Sequence, residues 1–339
     1  MLNHLFAAAS LALCGFAADF GPLARDVAVP VAGKMVAPVV ERGVVYATRK
    51  VGDESVELKL NIAMPATDPT KVGEDGKPEA KVVRRPCIVC IHGGGWTAGK
   101  REDLDGLIQR FAGEGFVAAT VSYRFAPANR FPAQIEDCAE AVRYLRENAE
   151  RFGIDPQRVG AIGFSAGAHL AMLLATGDVG DGLGIEAPAK DAKESKDAKD
   201  AKEVGTEKKV TGKVGVAISF FGPTQLGGAD IPVTSKGLVA GLVGKEADGL
   251  AERFKAASPM TYLNKGDAPM LLFQGTKDPL VPMTQATVMI DAMGKAGVPG
   301  RAEMISGAGH GFGGAEGERT YRVSMEFLRQ YLREPDAKK

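Results

Sequence analysis

The chain has 339 residues, 45% of them hydrophobic, and carries 42 Lys plus Arg against 42 Asp plus Glu. That apolar share can build a large core and excludes disorder for most of the chain. The formal net charge of zero leaves no basic excess to neutralise phosphates, so no nucleic-acid partner is expected. Glycine is abundant, 43 residues without a period, which excludes collagen and implies many tight turns.

The N-terminal run over 5–18 reads Leu-Phe-Ala-Ala-Ala-Ser-Leu-Ala-Leu-Cys-Gly-Phe-Ala-Ala. It is shorter than the roughly 20 apolar residues of a bilayer span. It has the character of an export signal, with Gly15 and Ala17 small enough for cleavage after Ala17, although no Lys or Arg precedes Arg25. Residues 1–18 are read as a signal peptide, which makes the mature protein periplasmic or extracellular. Lipid attachment at Cys14 is the minor alternative, disfavoured by the bulk of Leu13 before it. No other stretch is long and apolar enough to form a membrane span.

Residues 19–40 show no period and are read as an irregular arm. Val56, Leu58, Leu60, Ile62 and Met64 alternate with polar or small residues, as in a half-buried strand that Pro65 ends. A turn-rich loop follows over 66–81. Strands are expected at 87–91 and 116–121, with a helix at 102–113 between them. The next helix opens near Pro132, presents Ile135, Cys138, Ala139, Val142 and Leu145 on one face, and ends at Gly153. A strand at 158–164, a helix at 166–175, strands at 214–221, 269–274 and 301–305, and a helix at about 316–332 complete the series. Cys87 and Cys90 form a C-x-x-C inside an apolar strand. Side chains three apart on a strand face opposite ways, with Cα atoms about 10 Å apart. That is too far for a bridge, so both belong to the core, and no metal site is expected.

Residues 190–213 break the composition. Lys190, Lys193, Lys196, Lys199 and Lys202 recur every third residue among Asp and Glu, with almost nothing to bury. The segment is read as an exposed insertion, because the alternation of strands and helices resumes beyond it. The expected class is α/β, with a mostly parallel central sheet flanked by helices on both faces. Residues 19–339 form one domain with the charged insertion at 190–213.

Gly163-Phe164-Ser165-Ala166-Gly167 is a G-x-S-x-G sequence between an expected strand and an expected helix. A turn that sharp needs small flanking residues and leaves the serine Oγ clear of the sheet. His92-Gly93-Gly94-Gly95-Trp96 follows the strand at 87–91, and consecutive glycines let backbone N–H groups approach a ligand. Gly94, Gly95 and Ala166 are the candidate donors of an oxyanion hole. An acid and a base have to follow the serine in that order. Asp278 lies just after the strand at 269–274, and His310 follows the last strand. Strand carboxyl ends are where α/β sheets carry their chemistry. Of the other histidines, His4 lies in the signal, His92 is read as a loop brace and His169 sits on the core-facing helix. Asp267 competes with Asp278 but precedes its strand. Ser165, His310 and Asp278 are the candidate nucleophile, base and acid.

These residues resemble the α/β-hydrolase superfamily. The HGGGW loop, Ser122-Tyr123-Arg124-Phe125-Ala126-Pro127, Phe131-Pro132-Ala133 and the GFSAG turn are similar to its carboxylesterase branch, which includes hormone-sensitive-lipase-like and bacterial feruloyl or acetylxylan esterase-like proteins. The resemblance covers 55–178 and 214–332. It implies an α/β-hydrolase fold and ester hydrolysis through an acyl-enzyme, without cofactor. It further implies that residues near 224–265 shape the substrate pocket and that Arg124 and Asp137 brace the core. The 190–213 insertion departs from the family pattern. The expected substrate is a small or medium acyl ester, free or linked to plant polysaccharide as an acetyl or feruloyl group. An amidase of the arylformamidase type would use the same residues, and an inactive binding module is the alternative from another class.

Overall fold

Strands that are apolar at almost every position have to be covered on both faces, and the segments over 87–91, 117–121 and 270–275 are of that kind. The computed structural model describes residues 37–66, 84–178, 182–183, 210–228 and 230–333; the segment 1–18 expected to be a signal peptide and residues 190–209 of the insertion lie outside them. One eight-stranded sheet forms from β1 (Val39–Val51), β2 (Glu54–Met64), β3 (Arg85–Ile91), β4 (Val117–Val121), β5 (Ile154–Phe164), β6 (Ala217–Phe220), β7 (Met270–Gly275) and β8 (Gly300–Ile305), in the order β1-β2-β4-β3-β5-β6-β7-β8. β1 and β2 pair antiparallel, as do β2 and β4, and the other neighbours are parallel. The sequence-based expectation of a mostly parallel sheet therefore holds.

The helices are α1 (Asp105–Gly113), α2 (Ala133–Glu147), α3 (Ala149–Phe152), α4 (Ala166–Thr176), α5 (Val233–Val243), α6 (Leu250–Ala256), α7 (Met283–Ala296) and α8 (Gly314–Tyr331). Cys87, Val89 and Ile91 of β3 pack on one face with Ile135, Val142 and Leu145 of α2, with α4, and with Met289 and Met293 of α7. Ile88 and Cys90 pack on the other with Ile108 and Phe111 of α1 and Met325 and Leu328 of α8. Helices thus cover both faces, and the two cysteines point apart, free and buried. Burial pushes the Cys87 thiol up to about 12 and the Cys90 thiol well above its usual value, so neither is a reactive thiolate.

Four local expectations need correction. β1 occupies the end of the supposed irregular arm and the residues after it. It sits at the sheet edge with Tyr46 as its one fully buried side chain, so little of it reads as core. α7 was not anticipated, because only Gln285, Ala286, Met289 and Met293 of its face are buried. The helix expected to reach Gly153 breaks at Asn148 into α2 and α3, and Gly153, at φ 65°, ends the second. β6 stops at Phe220, because Phe221 turns to φ 46° and gives its N–H to the Phe273 carbonyl.

Arg124 and Asp137 do pair. The fully buried Asp137 carboxylate accepts from the Arg124 N–H (2.9 Å), from Arg124 Nε (2.8 Å) and Nη2 (2.9 Å), and from Arg49 Nε (3.2 Å). Removing this carboxylate takes away the shared acceptor of these donors and leaves Arg124 with Glu136 Oε2, at 3.0 Å, as its ionic partner. Asp137→Ala is expected to cost about 3–5 kcal/mol, read as a fall in the urea midpoint. A midpoint within experimental error of the parent would show that the network contributes nothing to stability.

Candidate active site

The G-x-S-x-G turn joins β5 to α4. A Cβ on Gly163 would run into the Gly167 carbonyl, and a Cβ on Gly167 into the Ile91 carbonyl. The strand–helix closure therefore needs both glycines. Ser165 takes φ 52° and ψ −116°, a conformation that costs a non-glycine residue about 1–3 kcal/mol. Its N–H is held by the Phe220 carbonyl at 2.9 Å, which ties the turn to β6. The side chain stands at the carboxyl end of the sheet and remains partly accessible.

Asp278 follows β7, and His310 follows β8. His310 Nε2 lies 2.8 Å from Ser165 Oγ, and Nδ1 lies 2.8 Å from Asp278 Oδ2. The second carboxylate oxygen, Oδ1, accepts from the Leu280 N–H (2.8 Å) and the Val281 N–H (2.9 Å), while Gln274 Nε2 donates to Oδ2 at 3.0 Å. Four N–H donors thus converge on one acceptor-only group. With Nδ1–H given to the carboxylate, Nε2 is left as the lone pair that accepts the serine proton. Three side chains 145 and 32 residues apart along the chain are brought into one hydrogen-bonded line.

The competing residues lie elsewhere. Asp267 precedes β7 and pairs with Lys213 at 2.8 Å, at the opposite end of the strand. His92 is buried, stacks on Tyr123 with ring centroids 4.5 Å apart, and has Nδ1 at 2.8 Å from the Gly93 carbonyl. Burial lowers its pKa, so it braces the loop as a neutral ring.

Gly95, Trp96, Ser165 and Ala166 line one cleft. Ala166 opens α4, where the helix N-terminus favours negative charge. Gly94 lies just outside the residues that line the cleft. Its carbonyl accepts from Thr97 and Ala98 N–H at 3.1 Å, and its φ of 113° shapes the turn. The remaining walls come from Ile231, from Ser235, Leu238 and Val239 of α5, and from Leu280, Val281 and Pro282. The pocket-shaping role expected for the segment near 224–265 thus falls mainly on α5. Leu280–Pro282 were not anticipated as a wall.

Polar atoms in the cleft are mostly spent on the protein itself. Ser235 Oγ donates to the Leu280 carbonyl at 2.7 Å. Gln285 Oε1 accepts from the Thr224 and Gln225 N–H groups, both at 2.8 Å, and its amide donates towards Asp230. Two supporting residues escaped the sequence reading. Gln274 is the one polar side chain in the apolar run of β7, a signal that was present. Phe221, whose ring meets His310 edge-on with centroids 4.8 Å apart, had none, because its place depends on a backbone turn.

Comparison with known proteins places the chain in a family and a fold. The BD-FAE family model matches residues 77–293, well over half of the chain. The chain belongs to the BD-FAE family. A second model, described as TAP-like protein, matches residues 252–339. Among relatives of this BD-FAE member, Esterase LipC of Mycobacterium tuberculosis is 29% identical over 243 residues, 69% of this chain and 55% of its own length. The chain spans about half the length of the curated relatives it matches. The thermophilic esterase Est2 of the planctomycete Thermogutta terrifontis, solved with propionate bound and phosphonylated by sarin, aligns with 91% of this chain and 100% of its own at 27% identity and a TM-score of 0.64. A truncated carbohydrate esterase from gut microbiota, 20% identical, shares the fold at a TM-score of 0.66 over 89% of this chain and 99% of its own. The BD-FAE chain is thus an α/β-hydrolase of carboxylesterase type in its architecture.

Proposed function

We propose that this protein is a serine carboxylic ester hydrolase acting on short acyl esters. The observation that carries the reading is the line Ser165 Oγ–His310–Asp278, with 2.8 Å at both contacts. In the reaction Ser165 Oγ attacks the ester carbonyl while His310 Nε2 takes its proton. Asp278 stabilises the resulting imidazolium, and His310 returns the proton to the leaving alcohol. The Gly95 and Ala166 N–H groups, with Gly94 behind them, stabilise the oxyanion, each donor contributing about 2.7–4 kcal/mol. Water, activated by the same imidazole, then hydrolyses the acyl-enzyme. The hydrogen bond between His310 Nε2 and Ser165 Oγ at 2.8 Å supports the assignment of the base, and the lining of the same cleft by Gly95 and Ala166 supports that of the donors.

The walls favour an uncharged, apolar acyl group. Leu238, Val239, Ile231 and Leu280 surround it, and the polar side chains of Ser235 and Gln285 are already bonded within the protein. Propionate bound to Est2 fits that preference. A polysaccharide-linked acetyl or feruloyl ester is compatible if the sugar stays at the mouth, where it needs no partner from the cleft.

A p-nitrophenyl ester series from acetate to octanoate, with matched amides and with feruloyl and acetylated-xylan substrates, tests this reading. Short esters should give the highest kcat/KM, and a fluorophosphonate probe should label Ser165. Faster turnover of the amides would replace ester by amide as the bond broken. A folded protein that neither turns over any member nor takes the label would be a binding module instead.

A further inference from the structure

His169 joins the two segments of the site, yet it belongs to neither the proton path nor the cleft wall. It lies one turn into α4, donates its backbone N–H to the Ser165 carbonyl at 3.1 Å, and is fully buried. Trp96 Nε1 donates to its Nδ1 at 3.2 Å, and its Nε2 lies 2.6 Å from the Ala257 carbonyl. An indole N–H can only donate and a carbonyl can only accept. The ring proton is therefore on Nε2, and both nitrogens are committed. Burial pulls the pKa of the ring down to about 4, which keeps it in this neutral form. The two rings meet edge to face, with centroids 5.2 Å apart.

Trp96 needs such a fixing. Gly94, Gly95 and Trp96 take φ values of 113°, 59° and 61° in succession. Two of them are glycines and tolerate this, but for a tryptophan it costs about 1–3 kcal/mol and persists only where the surroundings over-determine it. Two contacts do so. The Trp96 carbonyl accepts from the Ala126 N–H at 2.9 Å, and the indole is held by His169. On its other side His169 is anchored to Ala257, directly after α6, in the segment whose α5 sets Leu238 against Gly95. A Cβ on Gly95 would meet Leu238 Cδ1 at 2.9 Å.

We propose that His169 is a positioning residue for the oxyanion loop: by accepting from Trp96 and donating to Ala257 it locks Trp96 in its left-handed backbone conformation and so holds the Gly95 amide beside Ser165. The kinetic consequence rests on the ester-hydrolase reading, and the structural one does not.

Trp96 is the single tryptophan of the chain, so its fluorescence reports on the loop directly. In His169→Phe, which keeps a flat ring but no acceptor, acrylamide quenching of that fluorescence should rise severalfold, because the wild-type indole is only 4% exposed. With p-nitrophenyl acetate, kcat should fall about 10²-fold, the scale of a small misplacement of catalytic groups, while KM stays near wild type. His169→Asn, which keeps an acceptor near the Nδ1 position, should recover part of kcat. In a Trp96→Phe background, adding His169→Phe should change kcat little further, since the indole through which His169 acts is already gone. A residue that merely fills the core would give additive losses and no rescue by Asn. If His169→Phe does not fold, Trp96→Phe and His169→Asn carry the same comparison. Wild-type quenching in His169→Phe, or strict additivity in the cycle, overturns the proposal. A wild type that hydrolyses no ester sinks the ester-hydrolase reading instead, and the quenching result still decides the role of His169.

Discussion

Ser165→Ala is expected to lower kcat for p-nitrophenyl acetate by on the order of 10⁶, the scale seen when a triad nucleophile is removed elsewhere. The structure explains why nothing nearby can substitute. Ser165 Oγ is the atom to which His310 Nε2 is aimed, at 2.8 Å. The other hydroxyl in the cleft, on Ser235, is engaged with the Leu280 carbonyl. The substitution should leave the fold intact. The Ser165 N–H bond to Phe220 and the glycines on either side of the turn remain, and alanine occupies no more space than serine. A thermal melt close to the parent, measured alongside the rate, separates loss of the nucleophile from loss of the protein. Turnover within tenfold of wild type would mean that another group attacks.

Asp278→Asn is expected to cost about 10⁴ in kcat, by the tautomer argument that applies to any triad of this form. The surroundings of the carboxylate sharpen that argument. Leu280 N–H, Val281 N–H, Gln274 Nε2 and His310 Nδ1 all point donors at it. An asparagine has one acceptor oxygen and an NH₂ group. If its oxygen takes the two backbone N–H groups, its NH₂ faces Gln274 and His310. His310 then has to accept through Nδ1 and carry its proton on Nε2, where it can no longer receive the proton of Ser165. The rate should therefore fall while KM stays near wild type. The melting temperature should drop as well, because the Gln274 amide faces a donor. A loss of less than tenfold would point to a different acid.

Much of this protein can be read without coordinates, and the reason is physical. β3, β4, β7 and the second half of β5 are buried on both faces, so their sequences are predominantly apolar. G-x-S-x-G and the HGGGW loop carry their own meaning, since only glycine tolerates the close approach of the Gly167 and Ile91 carbonyls or that of the Ala98 carbonyl to Gly94. The order serine, acid, histidine follows from which strand ends carry which loop. Edge and cap elements were less legible. β1 exposes much of its outer face, and α7 buries a narrow face with a glutamine in it, so neither shows the clear apolar period of a core element.

From the chain alone came the fold class, the candidate nucleophile with its acid and base, and the opposed, unreactive placement of Cys87 and Cys90, because each rests on local spacing or on a motif whose backbone geometry admits few residue types. Tertiary structure alone decided which side chains support them: Gln274 and the Leu280 and Val281 amides around Asp278, Phe221 against His310, Leu238 over Gly95, and His169 between Trp96 and Ala257. Around Asp278 the partners are near neighbours held by a loop turn, but the other contacts join residues tens to more than a hundred positions apart, and no periodicity along a polymer encodes the packing of one loop against another.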